Sequence, residues 1–267
     1  MMLRSPWYIQ IAILLLASSI IGLIHNTDWN LQVYPNNISA SVIVVAVISI
    51  ITHIRSICVD KTVILREVEN NTNMLSFYLA YNITDLIWIL LFPIIYFAPY
   101  YFITLPRTSI GFYYLIGLLT CWWSSGMAYV ISATNLSMQW ANLIGVFVVV
   151  ILGAFLQGFN PSIKDTGNSL FFSYNRWAME ALAIKEFGFY NETMPNVIYS
   201  VSARYGICQM NDNSTLTTTY DCDKYIKNAI IALSIEGIVF RIIGFCIFYT
   251  MNSVVVSRFI TTLFMRR

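Results

Sequence analysis

Asp85, Glu236 and Arg241 have the most chemistry to offer, because each stands inside a long apolar run. An ionised side chain at a bilayer centre costs on the order of 3 kcal/mol or more unless it is paired or reaches the interface. Asp85 lies near the start of its run, so reaching the interface or capping a helix is preferred to contact with a substrate. Glu236 and Arg241 are five positions apart, not the three or four that would put them on one helix face. Packing against other helices is therefore expected of them, rather than a clean ion pair or a proton relay. His25 and His53 are the only histidines, and His53, near the end of its apolar run, reads as a satisfied interfacial side chain. The sequence has no Gly-x-Ser-x-Gly elbow, no His-Glu-x-x-His, no Cys-x-x-Cys and no acidic pair placed with a histidine. It also has no Gly-x-x-x-x-Gly-Lys-Ser/Thr loop, so this chain is expected neither to catalyse a reaction nor to cradle ATP itself.

The elements that hold these residues are written in the composition. With 58% hydrophobic and 10% charged residues and a mean hydropathy of +0.67, the chain carries more apolar surface than a soluble domain can hide. The expected fold is an all-α integral membrane protein. Six apolar runs of bilayer length fall at 7–24, 38–59, 83–105, 110–133, 138–159 and 226–251. The first lacks a small-residue cleavage site and five more follow, so it reads as a helix and not a signal peptide. Aromatic residues such as Trp7, Tyr8, Tyr100, Tyr101, Trp140 and Tyr249 collect at the ends, as an interfacial belt does. The net charge of +2, without a basic run interleaved with aromatics, sets nucleic acid aside as a partner.

If the six helices alternate, Arg4, Arg55, Lys61, Arg66, Arg258, Arg266 and Arg267 share one side. The excess of basic residues makes that side cytoplasmic and places both termini there. The loop between the last two helices then faces an oxidising compartment. It holds Cys208 and Cys222, whereas Cys58, Cys121 and Cys246 fall in or beside the spans. A single loop disulfide Cys208–Cys222 is the economical reading, with a bridge to a second subunit or a zinc pair as alternatives. Of the Asn-x-Ser/Thr tripeptides, Asn191 and Asn213 are well placed in that loop for glycosylation. Asn70, Asn82 and Asn135 fall at the inner face or in a helix, and Asn37 is too near the bilayer.

Two loop segments carry further pattern. Residues 170–189 put Phe172, Trp177, Ala181, Ile184 and Phe187 near one another at helical spacing, interrupted by Asn175, Glu180 and Lys185. That predicts an amphipathic helix dipping into the outer half of the bilayer or packing beneath an external cap. The Ser-, Thr-, Asn- and Tyr-rich stretch 191–223 reads as a small external subdomain held by its disulfide. Residues 55–76 interleave Val59, Val63, Ile64, Leu65 and Val68 with charged side chains. A short inner amphipathic helix and an ordinary solvated turn are both consistent with that pattern.

Three segments together resemble the membrane domain of ABC transporters of the G subfamily, the white/scarlet and pleiotropic-drug-resistance type. Arg66-Glu67, then Tyr78-Leu79-Ala80 and Asp85-Leu86, is similar to the family's inner loop of Arg-Glu, Tyr-Phe-Leu-Ala and an acidic residue with Leu. Gln157-Gly158-Phe159 is similar to its Ser-Gly-Phe or Gly-Gly-Phe, although Asn160 stands where an apolar residue is usual. Most specific is 176–187, in which Arg176, Trp177, Glu180, Ala181, Leu182, Glu186 and Phe187 follow Arg-Tyr-x-x-Glu-Ala-Leu-x-x-x-Glu-Phe. Arg4-Ser5-Pro6 resembles the family's Arg-Asp-Pro, and Arg241 the arginine of its last helix.

The resemblance implies one transmembrane domain over 1–267: helices one to five in 1–159, the external loop with its amphipathic or re-entrant helix in 160–225, and helix six with a cytoplasmic tail in 226–267. It implies half of the translocation path of an ATP-driven exporter for a lipid, sterol or amphipathic small molecule. Arg66 and Glu67 would form a coupling elbow on the inner amphipathic helix, and Gly158, Phe159 and Asn160 a constriction. ATP and Mg would sit on a nucleotide-binding domain, on a partner chain or on a missing part of the same chain; a fragment is the favoured expectation. A homo- or heterodimer in a plasma membrane or endomembrane of a eukaryote follows, surrounded by membrane lipids. The alternative is a dimerising anchor or decoy subunit that does not transport.

Overall fold

The computed structural model describes residues 7–27, 30–59, 63, 66, 73–134, 136–155, 172–190, 192–205 and 222–265. Six membrane-length helices account for most of them. In chain order these are α1 (Trp7–Thr27), α2 (Tyr34–Val59), α3 (Met74–Thr104), α4 (Ile110–Ala133) and α5 (Met138–Val150), which runs on as a π-helical turn Ile151–Phe155. Two shorter helices follow, α6 (Tyr174–Gly188) and α7 (Pro195–Tyr205), and the sixth long helix is α8 (Asp223–Met265). The all-α bundle of six spans expected from hydropathy is the observed fold, with both shorter helices between the fifth and sixth spans.

The ends differ from the hydropathy reading where polar residues begin or finish a helix. α2 starts at Tyr34 and not at residue 38, and α3 at Met74 and not at 83. Asn73 caps α3, its side chain accepting the Leu75 N–H at 3.0 Å. At the other end Leu105 takes a left-handed conformation, φ 48°, and its N–H bonds the Tyr101 carbonyl at 2.9 Å. Pro106 follows and disfavours continued helix at the residue before it.

Packing follows composition inversely. α4 is the most enclosed span, with 72% of its apolar window buried, yet its mean hydropathy of 1.3 is the lowest of the six. A helix surrounded by protein can carry hydroxyls that bond across to its neighbours, whereas a lipid-facing one cannot. Ser124 of α4 accordingly donates to Ser49 Oγ of α2 at 3.0 Å. Small residues let backbones close up elsewhere. Gly126 of α4 meets α8 so closely that a Cβ would lie 2.9 Å from the Gly237 carbonyl oxygen. Along α5, buried Ala141, Gly145, Val149 and Gly153 recur every four residues, and a Cβ at Gly145 or Gly153 would press on Ile54 or Ile43 of α2. This is ridge packing without a hydrophobic driving force, as helices in lipid require.

Candidate functional site

The segment with the strongest sequence motif lies at the loop end of the bundle, where α6 meets four other elements. Its start is built on the fifth span. Ser173 caps α6 by accepting the Arg176 N–H at 3.3 Å and donates its own hydroxyl to the Leu152 carbonyl at 2.8 Å. Tyr174 donates to the Val149 carbonyl at 3.2 Å and stacks on Trp123 of α4 with ring centroids 4.2 Å apart. Asn175 donates to the Gly153 carbonyl and to Ser39 Oγ of α2, both at 2.7 Å. These three side chains aim donors at carbonyls in the last described turns of span five.

The other end of α6 grips the loop between α3 and α4. Glu186 is fully buried. One of its carboxylate oxygens accepts the Arg107 N–H at 2.9 Å and the other the Thr108 N–H at 2.8 Å. Hydrogen bonds to a carboxylate are roughly twice as strong as neutral ones, so this is a firm attachment. The Arg107 guanidinium bonds the Phe189 carbonyl at 3.3 Å and lies 4.2 Å over the Tyr190 ring. Burial, then the Glu186 carboxylate, push the Tyr190 phenol above its ordinary pKa, against the lowering effect of Arg107. Phe187 is buried beside the Tyr34 ring, and Tyr34 shares a 2.6 Å hydrogen bond with Tyr113.

A second polar cluster sits inside the bundle around Arg241. Its Nε donates to Asn82 Oδ1 at 3.2 Å, Nη1 to the Trp122 and Gly237 carbonyls at 2.9 Å each, and Nη2 to Ser125 Oγ. The guanidinium also lies 3.4 Å from the Trp122 ring centroid. One arginine thus joins α3, α4 and α8, its charge spread over carbonyl dipoles and an indole face. Nearby, Tyr78 donates to the Arg241 carbonyl at 2.8 Å, and Tyr129 to Asp85 at 2.7 Å.

These positions revise several expectations. Asp85 does not cap its helix; it is buried inside α3, where Tyr129 donates to it. His53 is buried near the end of α2. Its Nδ1 lies 2.7 Å from the Ser49 carbonyl, which can only accept, so Nδ1 carries the proton. Arg241 packs against other helices, and so does Glu236, which is buried with its carboxylate toward the Trp123 and Trp177 indoles. α6 does not present one apolar face: Asn175, Ala178, Glu180, Ala181, Leu182 and Glu186 are all buried, because protein surrounds the helix. Arg176 keeps its guanidinium 5.9 Å from the Trp177 ring.

The structure does not bring every expected site residue into view. Glu67, Gly158, Phe159, Asn160, Asn191, Cys208 and Asn213 lie outside the described residues, and Arg66 is helical and exposed. Cys58, Cys121 and Cys246 are not disulfide-bonded. Among the described residues no three His, Cys, Asp or Glu side chains come together to hold a metal ion. Sequence reasoning missed Ser173 and Tyr174, although a serine just before an apolar helix is a capping signal. It also missed α7, which Pro195 opens and whose Ile198 and Val201 face inward.

A buried arginine on carbonyls and a carboxylate on backbone amides hold helices together. The chain is 26% identical over 209 residues to the putative white-brown complex homolog protein 30 of Arabidopsis thaliana, covering 77% of this chain and 18% of that protein. It is 28% identical over 145 residues to ABC transporter G family member 28 of the same plant, covering 54% and 13% of the two chains. It is 27% identical over 144 residues to ABC transporter G family member 25 of Oryza sativa subsp. japonica, covering 54% and 14%. The chain therefore spans less than a fifth of the length of these relatives. The ABC-2 type transporter family model matches residues 7–254, nearly all of the six-span bundle, and this multi-pass membrane chain belongs to that family.

Proposed function

We propose that this chain is the membrane domain of an ATP-driven exporter and forms half of a translocation path for a lipid, sterol or amphipathic small molecule. The observation that carries the reading is the family match over 7–254, together with the relatives whose names place them among G family ABC transporters. A nucleotide-binding domain, on this or another chain, holds ATP and Mg, and two membrane domains pair to complete the path. Arg66 and Glu67 receive the push of that domain on the cytoplasmic side, where both termini lie. Gly158, Phe159 and Asn160 form the constriction between inner cavity and outer exit. The external loop carries a Cys208–Cys222 bridge, supported by the disulfide-bonded state of Cys222 while Cys58, Cys121 and Cys246 are outside any disulfide, and glycans at Asn191 and Asn213.

Co-purification followed by vesicle transport tests the reading. A nucleotide-binding chain should associate, and vanadate-sensitive movement of an amphipathic substrate should follow. Association without such movement would favour a dimerising anchor or decoy subunit instead. Within the assembly, Glu67→Ala should let ATP hydrolysis continue while transport falls, and unchanged coupling would remove Glu67 from the elbow.

A further inference from the structure

α2 and span five touch along small residues and apolar side chains, a surface held by dispersion alone. In lipid no hydrophobic force opposes their sliding, because a helix that leaves its neighbour meets solvent as apolar as the neighbour was. Register along such a surface must come from directional contacts. Among the described residues, the hydrogen bonds that reach α5 and its π turn from other elements come from Ser173, Tyr174 and Asn175. Of these three, Asn175 also bonds α2, through Ser39.

The geometry at Asn175 suits a pin. The side chain is fully buried, and its amide nitrogen has the two hydrogens that its two 2.7 Å acceptors need. One acceptor is a backbone carbonyl of a π turn, an irregularity that is often found at functional sites. The turn has no slack at this point, because a Cβ on Gly153 would lie 2.9 Å from Ile43 of α2 and would also strike Tyr174. Ser39 is itself buried on the face of α2 that meets α6.

We propose that Asn175 is a positioning residue that pins the loop end of α2 to the π turn of span five, so that these two ends stay together during transport. The functional half of this proposal rests on the transporter reading above; the structural half does not.

The test is amide hydrogen exchange on the whole chain in lipid nanodiscs, comparing Asn175→Asp and Ser39→Ala with the unsubstituted protein. Aspartate keeps the shape but, when ionised, has no hydrogen to donate. Asn175→Asp should speed exchange over 151–155 about tenfold, the loss of a buried hydrogen bond, with α3 and α4 unaffected. Ser39→Ala should speed the same segment to a smaller extent, because it frees the α2 leg of the pin. In an assembly with its nucleotide-binding partner, both variants should move less substrate per ATP hydrolysed. Unchanged exchange in Asn175→Asp overturns the proposal. Exchange that rises in Asn175→Asp but not in Ser39→Ala refutes the tie to α2. Faster exchange with unaltered transport per ATP leaves Asn175 a helix cap and also overturns it. If the unsubstituted assembly transports nothing, the transporter reading fails by itself, and the exchange comparison still decides whether α2 and the turn are joined.

Discussion

Replacing Glu186 by Gln should loosen the loop end of the bundle far more than a change of one atom suggests. The carboxylate uses both oxygens, one on the Arg107 amide and one on the Thr108 amide, at 2.9 and 2.8 Å. Glutamine keeps one acceptor and turns an NH2 toward the other N–H. The variant thus loses one charge-assisted hydrogen bond and leaves a backbone donor unmet at Thr108, which is buried. Together these cost about 2–4 kcal/mol. Equilibrium unfolding in mixed micelles should show a loss of that size, and exchange of the Arg107 and Thr108 amides should accelerate by roughly thirtyfold or more. Glu186→Asp should fall between, because the shorter side chain keeps its charge but cannot span both amides. An unfolding midpoint unchanged in Glu186→Gln, with both amides still protected, would refute the claim that this carboxylate holds the loop between α3 and α4.

Substitutions at four other positions probe the bundle. Gly126→Ala should destabilise by about 1–3 kcal/mol because its methyl meets a backbone carbonyl that cannot turn aside. Gly111→Ala, with nothing within 4 Å, should be neutral or better in the same melting experiment. Arg241→Met should cost about 3–5 kcal/mol by abandoning buried acceptors on α3, α4 and α8, and Arg241→Lys should recover only part, because an ammonium cannot reproduce the planar fork. Glu236→Gln should cost little in that assay, since an amide oxygen can still accept from the Trp123 and Trp177 indoles that the native carboxylate faces. A clear loss of stability there would mean that the negative charge itself is held by those partners.

The spans were legible because bilayer thickness demands long apolar runs, and that demand survives any detail of packing. The helix 174–188 was legible as a helix, but its surroundings were not. Periodicity alone suggested one wet face, whereas Asn175, Glu180 and Glu186 are all buried. Polar residues on a helix report solvent only where no other chain segment offers hydrogen bonds, and here α2, the π turn and the α3–α4 loop offer several. The partner of Asp85 was hidden for the same reason, since its acceptor duty to Tyr129 joins residues 44 apart in sequence. The Arg241 cluster was half visible: the arginine stood out, but Asn82, Ser125 and the carbonyls of Trp122 and Gly237 are ordinary residues until the helices cross. α7 stayed hidden because its short apolar pattern is embedded in Ser- and Thr-rich sequence.

The distribution of these polar ties divides the bundle mechanically. α4 is joined to α2 through Ser124 and Ser49, and to α3 and α8 through Arg241. α1 is joined to α3 through Ser18 with the Tyr96 carbonyl, and through His25 with Tyr100 at 3.1 Å. α6 is locked to the α3–α4 loop by Glu186. Displacing any of these helices breaks directional bonds that lipid cannot replace. α5 differs: among the described residues its bonds to other elements lie at Val149, Leu152 and Gly153, all toward its loop end. Its opposite half meets α2 through Gly145 against Ile54 and Ile50, contacts that can be exchanged for others of the same kind. Among the described residues, a swing of that half therefore breaks no hydrogen bond so long as the π turn stays fixed. The arrangement permits α5 to pivot about its loop end while resisting translation along α2, and Asn175 stands where such a pivot must be held.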